Sequence, residues 1–371
     1  MTPEPDPSRH LAGLPAPVLA LLRGRRLHPA AGPFLQVRPE ESTRTGQRLV
    51  DAWRAGALLR LTPGVYVSLE WWAALPRWDR FTVAAAALAR ARPQTVFTGT
   101  TAAHLHGLPL VTVPDLLDVR AAHRGHRPPG PLAATPLSAA GAARVSGQDA
   151  DGLLPPGQRR RWNVPRSPDD DGPARVTATL ADGTPVGPVR VDPLCTVQLL
   201  TACELPFAEA IAPLDALAMR AWGPSSRWAE RNREVWRTRA GRGRFERAWG
   251  FVDPRSESAG ESFSRAVLEE LGFARPELQR VIHDAAGRFA GRVDFWWEGP
   301  RVTGEFDGIG KYDIDLHASE ADRRRSIGRE AERDRRLARL VRAQVHWTWA
   351  DLWRPESLAA DLARAGVPRR G

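Results

Sequence analysis

Gly291–Tyr312 reads GRVDFWWEGPRVTGEFDGIGKY, and this stretch decides how the C-terminal third of the chain folds. Arg292–Trp297 alternates polar and apolar residues, Glu298-Gly299-Pro300 interrupts it, and Arg301–Asp307 alternates again, which predicts two strands joined by a turn. Side chains along a strand point to opposite faces at each step. Arg292, Asp294 and Trp296 therefore share one face, and Val293, Phe295 and Trp297 share the other. On the second strand Thr303, Glu305 and Asp307 fall together. Asp294, Glu305 and Asp307 can then converge on one side of a small sheet, where a hard divalent cation would relieve their mutual repulsion. The predicted metal ligands are these three carboxylates.

The chain carries 53 Lys and Arg residues, and Lys311 is its one lysine. An ammonium can lose its proton when its surroundings demand it, whereas a guanidinium cannot. A lone lysine four residues beyond Asp307 is therefore a candidate catalytic residue.

Asp294, Glu305-Phe306-Asp307-Gly308 and Lys311-Tyr312, with Glu261 upstream, resemble the restriction-endonuclease-like PD-(D/E)XK superfamily. The resemblance is nearest to the small domains similar to the very-short-patch repair endonuclease, and covers about Ser256 to Trp353. It implies an α/β core, Mg²⁺ (or Mn²⁺) held by the Asp and Glu, and a lysine that polarises the phosphate or the attacking water. The sequence departs from that pattern, because Asp307 occupies the lysine position; Lys311 would have to reach back into the site.

At 371 residues the chain is long enough for two or three domains. A formal charge of +10 favours a polyanionic partner, most simply nucleic acid. An arginine-rich proteome would produce the same balance without such a partner. Cys195 and Cys203 lack a partner motif and read as free thiols in a reducing interior. No apolar run approaches ~20 residues and the first residues, MTPEPDPSRH, lack the order of a signal peptide, so a cytoplasmic protein without membrane contact is expected.

Residues 1–75 predict a leading helix near Pro15–Arg25, a second helix over Thr43–Ala55 with Ser42 as N-cap, and two strands in Ala57–Val67 around Thr62-Pro63-Gly64. Helix followed by hairpin is the outline of a winged helix, and Leu58–Val67 (LLRLTPGVYV) resembles the wing of AbiEi-type antitoxin N-terminal domains. A packing module without DNA contact is the alternative. Residues 76–250 predict a mixed α+β region. It comprises an Ala-rich helix over Trp78–Arg90, a helix opening at Thr98 or Thr100, a strand at Leu116–Ala121, and a hairpin of Arg175–Leu180 with Val186–Val191. Helices follow at Leu194–Cys203, Phe207–Ala221 and Ser226–Arg239. His104 and His106 lie on different sides of their helix and read as structural. Arg159-Arg160-Arg161 suits phosphate contact or a solvated edge. Eight Arg against three Glu in residues 223–250 suit a flank that binds a nucleic-acid backbone.

Residues 251–371 form the nuclease-like domain. Ser258 and Glu261 have capping-box spacing at the start of an amphipathic helix closed by Gly272. Glu261 thus has two claims on it, as a reciprocal cap and as the helix glutamate that leans toward the metal. Pro276–His283 is a first strand, Ser319–Arg342 an Arg-rich helix, and Gln344–Trp349 the closing strand. Trp347 and Trp349 read as packing residues rather than base-stacking ones.

The expected fold class is accordingly α/β in the sense of an α+β multidomain chain: a winged-helix-like module, a mixed middle domain and a mixed sheet flanked by helices. The expected function is Mg²⁺-dependent phosphodiester hydrolysis of DNA, in phage defence or DNA repair, with Asp294, Glu305, Asp307, Lys311 and Glu261 as the catalytic set. A second reading is a DNA-binding regulator or AbiEi-like antitoxin that keeps the nuclease fold as a scaffold and pairs with a cognate toxin or defence-system protein. A third is an RNA substrate.

Overall fold

The structure, a computed structural model, describes residues 13–16, 18–19, 33–36, 43–121, 136–145, 153–161, 164–220, 231–232, 235, 239–308 and 332–370. The architecture is mixed α/β with three sheets. The chain divides into two compact units, Met1–Leu108 with Thr112–Leu200, and Pro109–Val111 with Thr201–Gly371.

The first unit opens with β1 (Leu35–Gln36), α1 (Thr43–Arg54), β2 (Leu58–Thr62) and β3 (Val65–Ser68), whose strands form a sheet in the order β1-β3-β2. Gly56 ends α1 by taking φ 73°, which lets Ala57 N donate back to Ala52 O at 2.9 Å. This left-handed cap closes the helix and turns the chain into the sheet. The turn at Pro63-Gly64 again uses a left-handed glycine, Gly64 at φ 81°. Leu49 and Ala52 of α1 then bury against Leu58 and Tyr66. The predicted helix and hairpin are both present; Ser42 and most of Pro15–Arg25 lie outside the described residues.

There follow α2 (Leu69–Ala74), α3 (Arg77–Ala91), β4 (Val96–Phe97), α4 (Gly99–Leu105), β5 (Leu116–Arg120), α5 (Ala139–Arg144), β6 (Gly157–Arg161), β7 (Ala174–Thr179) and β8 (Pro185–Val191). Five of these strands make a mixed sheet in the order β6-β5-β4-β8-β7. Ala84–Ala87 of α3 are all buried, and their small side chains let the helix approach the sheet closely.

Arg159 holds the fully buried Asp118 through two bonds, Nε to Oδ1 at 2.5 Å and Nη2 to Oδ2 at 2.7 Å, and Arg161 lies 3.6 Å from the same carboxylate. The first and last of the Arg159–Arg161 run thus hold a buried acid, while Arg159 and Arg160 are exposed. His104 and His106 part company as expected. His104 Nε2 meets Thr82 Oγ1 at 2.7 Å, and His106 Nε2 donates to Asp192 O at 2.8 Å. Cys195 and Cys203 are free thiols.

After α6 (Leu194–Glu204), the second unit contains α7 (Phe207–Met219), α8 (Arg239–Trp249) and α9 (Ala259–Glu270). Then come β9 (Glu277–His283), β10 (Phe289–Trp297), β11 (Val302–Phe306), β12 (Ala343–Trp347), α10 (Trp349–Trp353) and α11 (Glu356–Ala365). Its sheet has the order β12-β11-β10-β9, with β9, β10 and β11 antiparallel in succession and β12 parallel to β11. Residues 332–338 are helical ahead of β12, and Leu337 packs against Val293, Trp296 and Ile282. Trp347 is buried against Phe295, and Trp349 lies against Phe263 and Phe306, so both tryptophans pack as expected.

The expected divisions at 75 and 250 do not coincide with the two units. Arg265 on α9 donates to Asp215 on α7 at 2.8 Å and to Phe251 O at 3.1 Å, with both side chains buried. That pair ties a helix from before residue 250 to the C-terminal sheet. Most of Ser226–Arg239 lies outside the described residues.

Candidate functional site

The sheet of the second unit sets a row of side chains across its strands. Phe295 pairs with Gly304, so the next step places Asp294 of β10 opposite Glu305 of β11. Val293 pairs with Arg280 and Phe295 with Leu278, which places Gln279 of β9 opposite Asp294 on the other side. Glu305 pairs in turn with His346 of β12. Residues directly opposite one another share a face. The row Gln279, Asp294, Glu305, His346 therefore lies on one side of the sheet.

Helix α9 brings a further carboxylate to the row. Ser258 caps the helix by accepting from Glu261 N at 3.1 Å, and its hydroxyl donates to Glu261 Oε1 at 2.9 Å. Glu261 Oε2 accepts from Glu257 N at 2.9 Å and from Gln279 Nε2 at 2.7 Å. Both oxygens of Glu261 thus serve the helix start, and Oε2 also accepts from Gln279 of the sheet. Burial raises the Glu261 carboxyl above its ordinary range, and the nearby Asp294 charge raises it further.

Asp294 accepts from Gln279 Nε2 at 3.3 Å through Oδ1 and from Phe306 N at 3.1 Å through Oδ2. Glu305 is buried, and Arg333 donates to its Oε2 at 3.0 Å. Glu261, Asp294 and Glu305 line one open cleft of about 570 Å³, together with Arg292, Phe289 and Arg333. Phe306 closes the floor of this region against α9. Gly260 makes that possible, because a Cβ there would sit 1.9 Å from the Phe306 ring.

Asp307 follows directly on β11 and meets His346, the last member of the row, rather than Asp294 or Glu305. β11 ends at Phe306, and Asp307 N donates to Trp347 O at 2.8 Å. Its Oδ2 meets His346 Nδ1 at 3.2 Å, with both side chains more than a third exposed. Lys311 lies outside the described residues, as do Arg323, Arg324, Arg325 and Arg329.

The donor set suits a hard cation in kind: carboxylate oxygens, a neutral carboxamide, and a buried Glu261 whose charge lacks full compensation. In placement it is held closed. Among the described residues, no three His, Cys, Asp or Glu side chains form a group that could hold a metal ion. Gln279 Nε2 stands between Glu261 and Asp294, and Arg333 stands on Glu305. Gln279, Arg333 and His346 are the site residues that sequence reasoning missed. No local pattern marks them, since each enters through strand register or helix placement.

No family model and no solved structure matches the chain. Two relatives in Mycobacterium tuberculosis, the uncharacterised proteins MT2308 and Rv2248, are each 39% identical over 82 residues, which is 22% of this chain. The matched stretch spans 28% of the length of either relative. Among the described residues, no helix is long and apolar enough to cross a membrane.

Proposed function

We propose that the second unit is a divalent-cation-dependent phosphodiesterase site acting on DNA, of the PD-(D/E)XK kind. The observation that carries this reading is the facing of Asp294 and Glu305 on neighbouring strands into a cleft that α9 also supplies with Glu261. The helix-flanked mixed sheet supports it, since an α/β core is what the resemblance implies. Asp294, Glu261 and Glu305 would hold Mg²⁺ or Mn²⁺. Such an ion supplies charge neutralisation at the scissile phosphate and a lowered pKa for a bound water.

The chain's own residues do the rest. Asp294 is oriented by Phe306 N, and Glu261 by its own helix cap. Arg292 stands at the cleft edge, in an exposed pair with Glu257 that a phosphate can compete for at little cost. His346 stands opposite Glu305 on the neighbouring strand and meets Asp307 Oδ2 through Nδ1. α1 and the β2–β3 hairpin of the first unit would bind duplex DNA as a winged helix, in a cytoplasmic protein.

Purified full-length protein incubated with supercoiled plasmid in Mg²⁺ or Mn²⁺ tests this reading. Nicking or linearisation that is lost in Asp294→Ala supports it; an intact plasmid with both cations refutes it.

One specific observation favours a second reading. Arg333 occupies Glu305, and Asp307, in the position of the motif lysine, is turned to His346. A scaffold that has given up hydrolysis and retains DNA binding, as a regulator or antitoxin-like partner of a toxin or defence protein, would show this arrangement. Salt-sensitive DNA binding without cleavage is its signature.

A further inference from the structure

Gln279 is the oddest residue of the described chain. It sits inside strand β9 with φ 53°, a left-handed conformation that side chains other than glycine rarely adopt. The other described non-glycine residue with positive φ, Arg301, lies in the turn between β10 and β11, where such a conformation is ordinary. In a strand it interrupts the pleat and re-aims the side chain. Gln279 is thereby directed at Glu261, which belongs to a helix, as well as at Asp294 opposite it on β10. Its Nε2 donates to Glu261 Oε2 at 2.7 Å and to Asp294 Oδ1 at 3.3 Å. Its Oε1 is buried and has no hydrogen-bond partner. One end of the carboxamide thus satisfies two carboxylates while the other satisfies nothing. Backbone strain persists where the surroundings over-determine it, and such sites cluster where a ligand is handled.

We propose that Gln279 is a ligand-switching residue of the cation site: its amide nitrogen stands in for the cation between Glu261 and Asp294, and a half-turn of the carboxamide presents Oε1 to the cation when it binds. The role rests on the cation-dependent reading above. The two carboxylate oxygens need positive charge or donors between them, and an amide NH₂ offers one hydrogen to each. A divalent cation at the same place supplies that charge far more strongly and would repel the N–H dipoles. Rotation about Cγ–Cδ removes them and brings in a neutral oxygen, which hard cations accept beside carboxylates. The orphaned oxygen then has its partner. Switching the amide rather than moving a strand keeps the site assembled in both states.

Isothermal titration of the full chain with MnCl₂ tests the role. The variants are Gln279→Gly, which suits the left-handed backbone and removes the carboxamide, and Gln279→Glu, which places a fourth carboxylate at the site. Mn²⁺ affinity is expected to fall roughly ten- to a hundredfold in Gln279→Gly, as when the supporting residues of a metal site are removed, and to rise in Gln279→Glu. Unchanged thermal unfolding of metal-free Gln279→Gly shows that the loss is local. Wild-type protein that binds Mn²⁺, with Gln279→Gly binding it equally well, overturns the role of Gln279 alone. Wild-type protein that takes up no Mn²⁺ at millimolar concentration overturns both the role and the cation-dependent reading. Equal Mn²⁺ affinity combined with lost cleavage would make Gln279 a substrate contact and overturn the switch.

Discussion

Replacing Arg265 by methionine tests what holds α9 in place. The Arg265 and Asp215 side chains are 8% and 1% exposed and 2.8 Å apart, so solvent screening does little to weaken the pair. Removing one partner of such a pair leaves the other charge buried and costs about 4 kcal/mol. In a unit of this size that is a fall in Tm of about 12 °C. Asp215 retains the bond from Asp253 N at 2.8 Å, which keeps its carboxyl oriented but does not neutralise it. Burial already raises the Asp215 carboxyl, and Arg265 is the strongest influence pulling it back down. Without Arg265 the folded protein holds the Asp215 proton at a pH where the unfolded chain has released it. The native state then binds more protons than the unfolded one, and stability falls as pH rises. The deficit of Arg265→Met relative to wild type should therefore be larger at pH 7.5 than at pH 5. Adding Asp215→Asn removes the buried charge while keeping the acceptor for Asp253 N, and the double variant should be more stable than Arg265→Met alone. Calorimetry at the two pH values reads all of this. A single-variant cost below about 1 kcal/mol, or a double variant no better than the single, would refute the view that this pair binds α7 to α9.

Three further outcomes are expected. Gly260→Ala drives a Cβ into the Phe306 ring, so Phe306 must shift; stability should fall by about 1–3 kcal/mol, and Mn²⁺ affinity should fall with it, because Phe306 N holds Asp294. Arg333→Ala removes a competitor for Glu305 Oε2, and titration should show Mn²⁺ binding strengthened by up to about fivefold, the scale of one partly exposed ion pair. Burial lowers His104 to about 4, between Thr82 and the rings of Trp78 and Phe81. The unfolded chain takes up that proton first as pH falls from about 6.5, so the contribution of neutral His104 is complete above that pH and is lost toward pH 4. The loss is about 3 kcal/mol at most. Urea unfolding at pH 7.5 and 4.5 should show a smaller drop in His104→Gln; equal drops would contradict the assignment.

Much of the architecture was legible because it is local. The alternation of Arg292–Trp297 and the break at Glu298-Gly299-Pro300 mark the ribbon of β10 and β11. Ser258 and Glu261 mark the start of α9, and Gly56 and Gly64 mark the ends that require a left-handed residue. What escaped is non-local. The row from Gln279 to His346 exists because of strand register, which alternation constrains to a face but not to a partner. Arg265 and Asp215 lie 50 residues apart, and nothing near either residue says that they meet. Asp307 lies just past the last residue of β11, and its contact with His346 depends on a partner strand that alternation alone does not name.

On the proposed reading, the partners of Glu261, Asp294 and Glu305 account for how acids that would hold a cation can fold without one. Glu261, Asp294 and Glu305 would repel one another across the cleft if left bare. The cap of α9, the amide of Gln279 and the guanidinium of Arg333 each compensate part of that charge. None of the three does so irreplaceably: an amide can turn, an arginine 26% exposed at the cleft can swing away, and a helix cap remains in place while the second oxygen of Glu261 is used. On that reading, a site meant to stay inert would more simply have lost the acids. Retaining three buried or half-buried carboxylates, each with an exchangeable partner, is the arrangement expected where a stronger cation arrives and leaves.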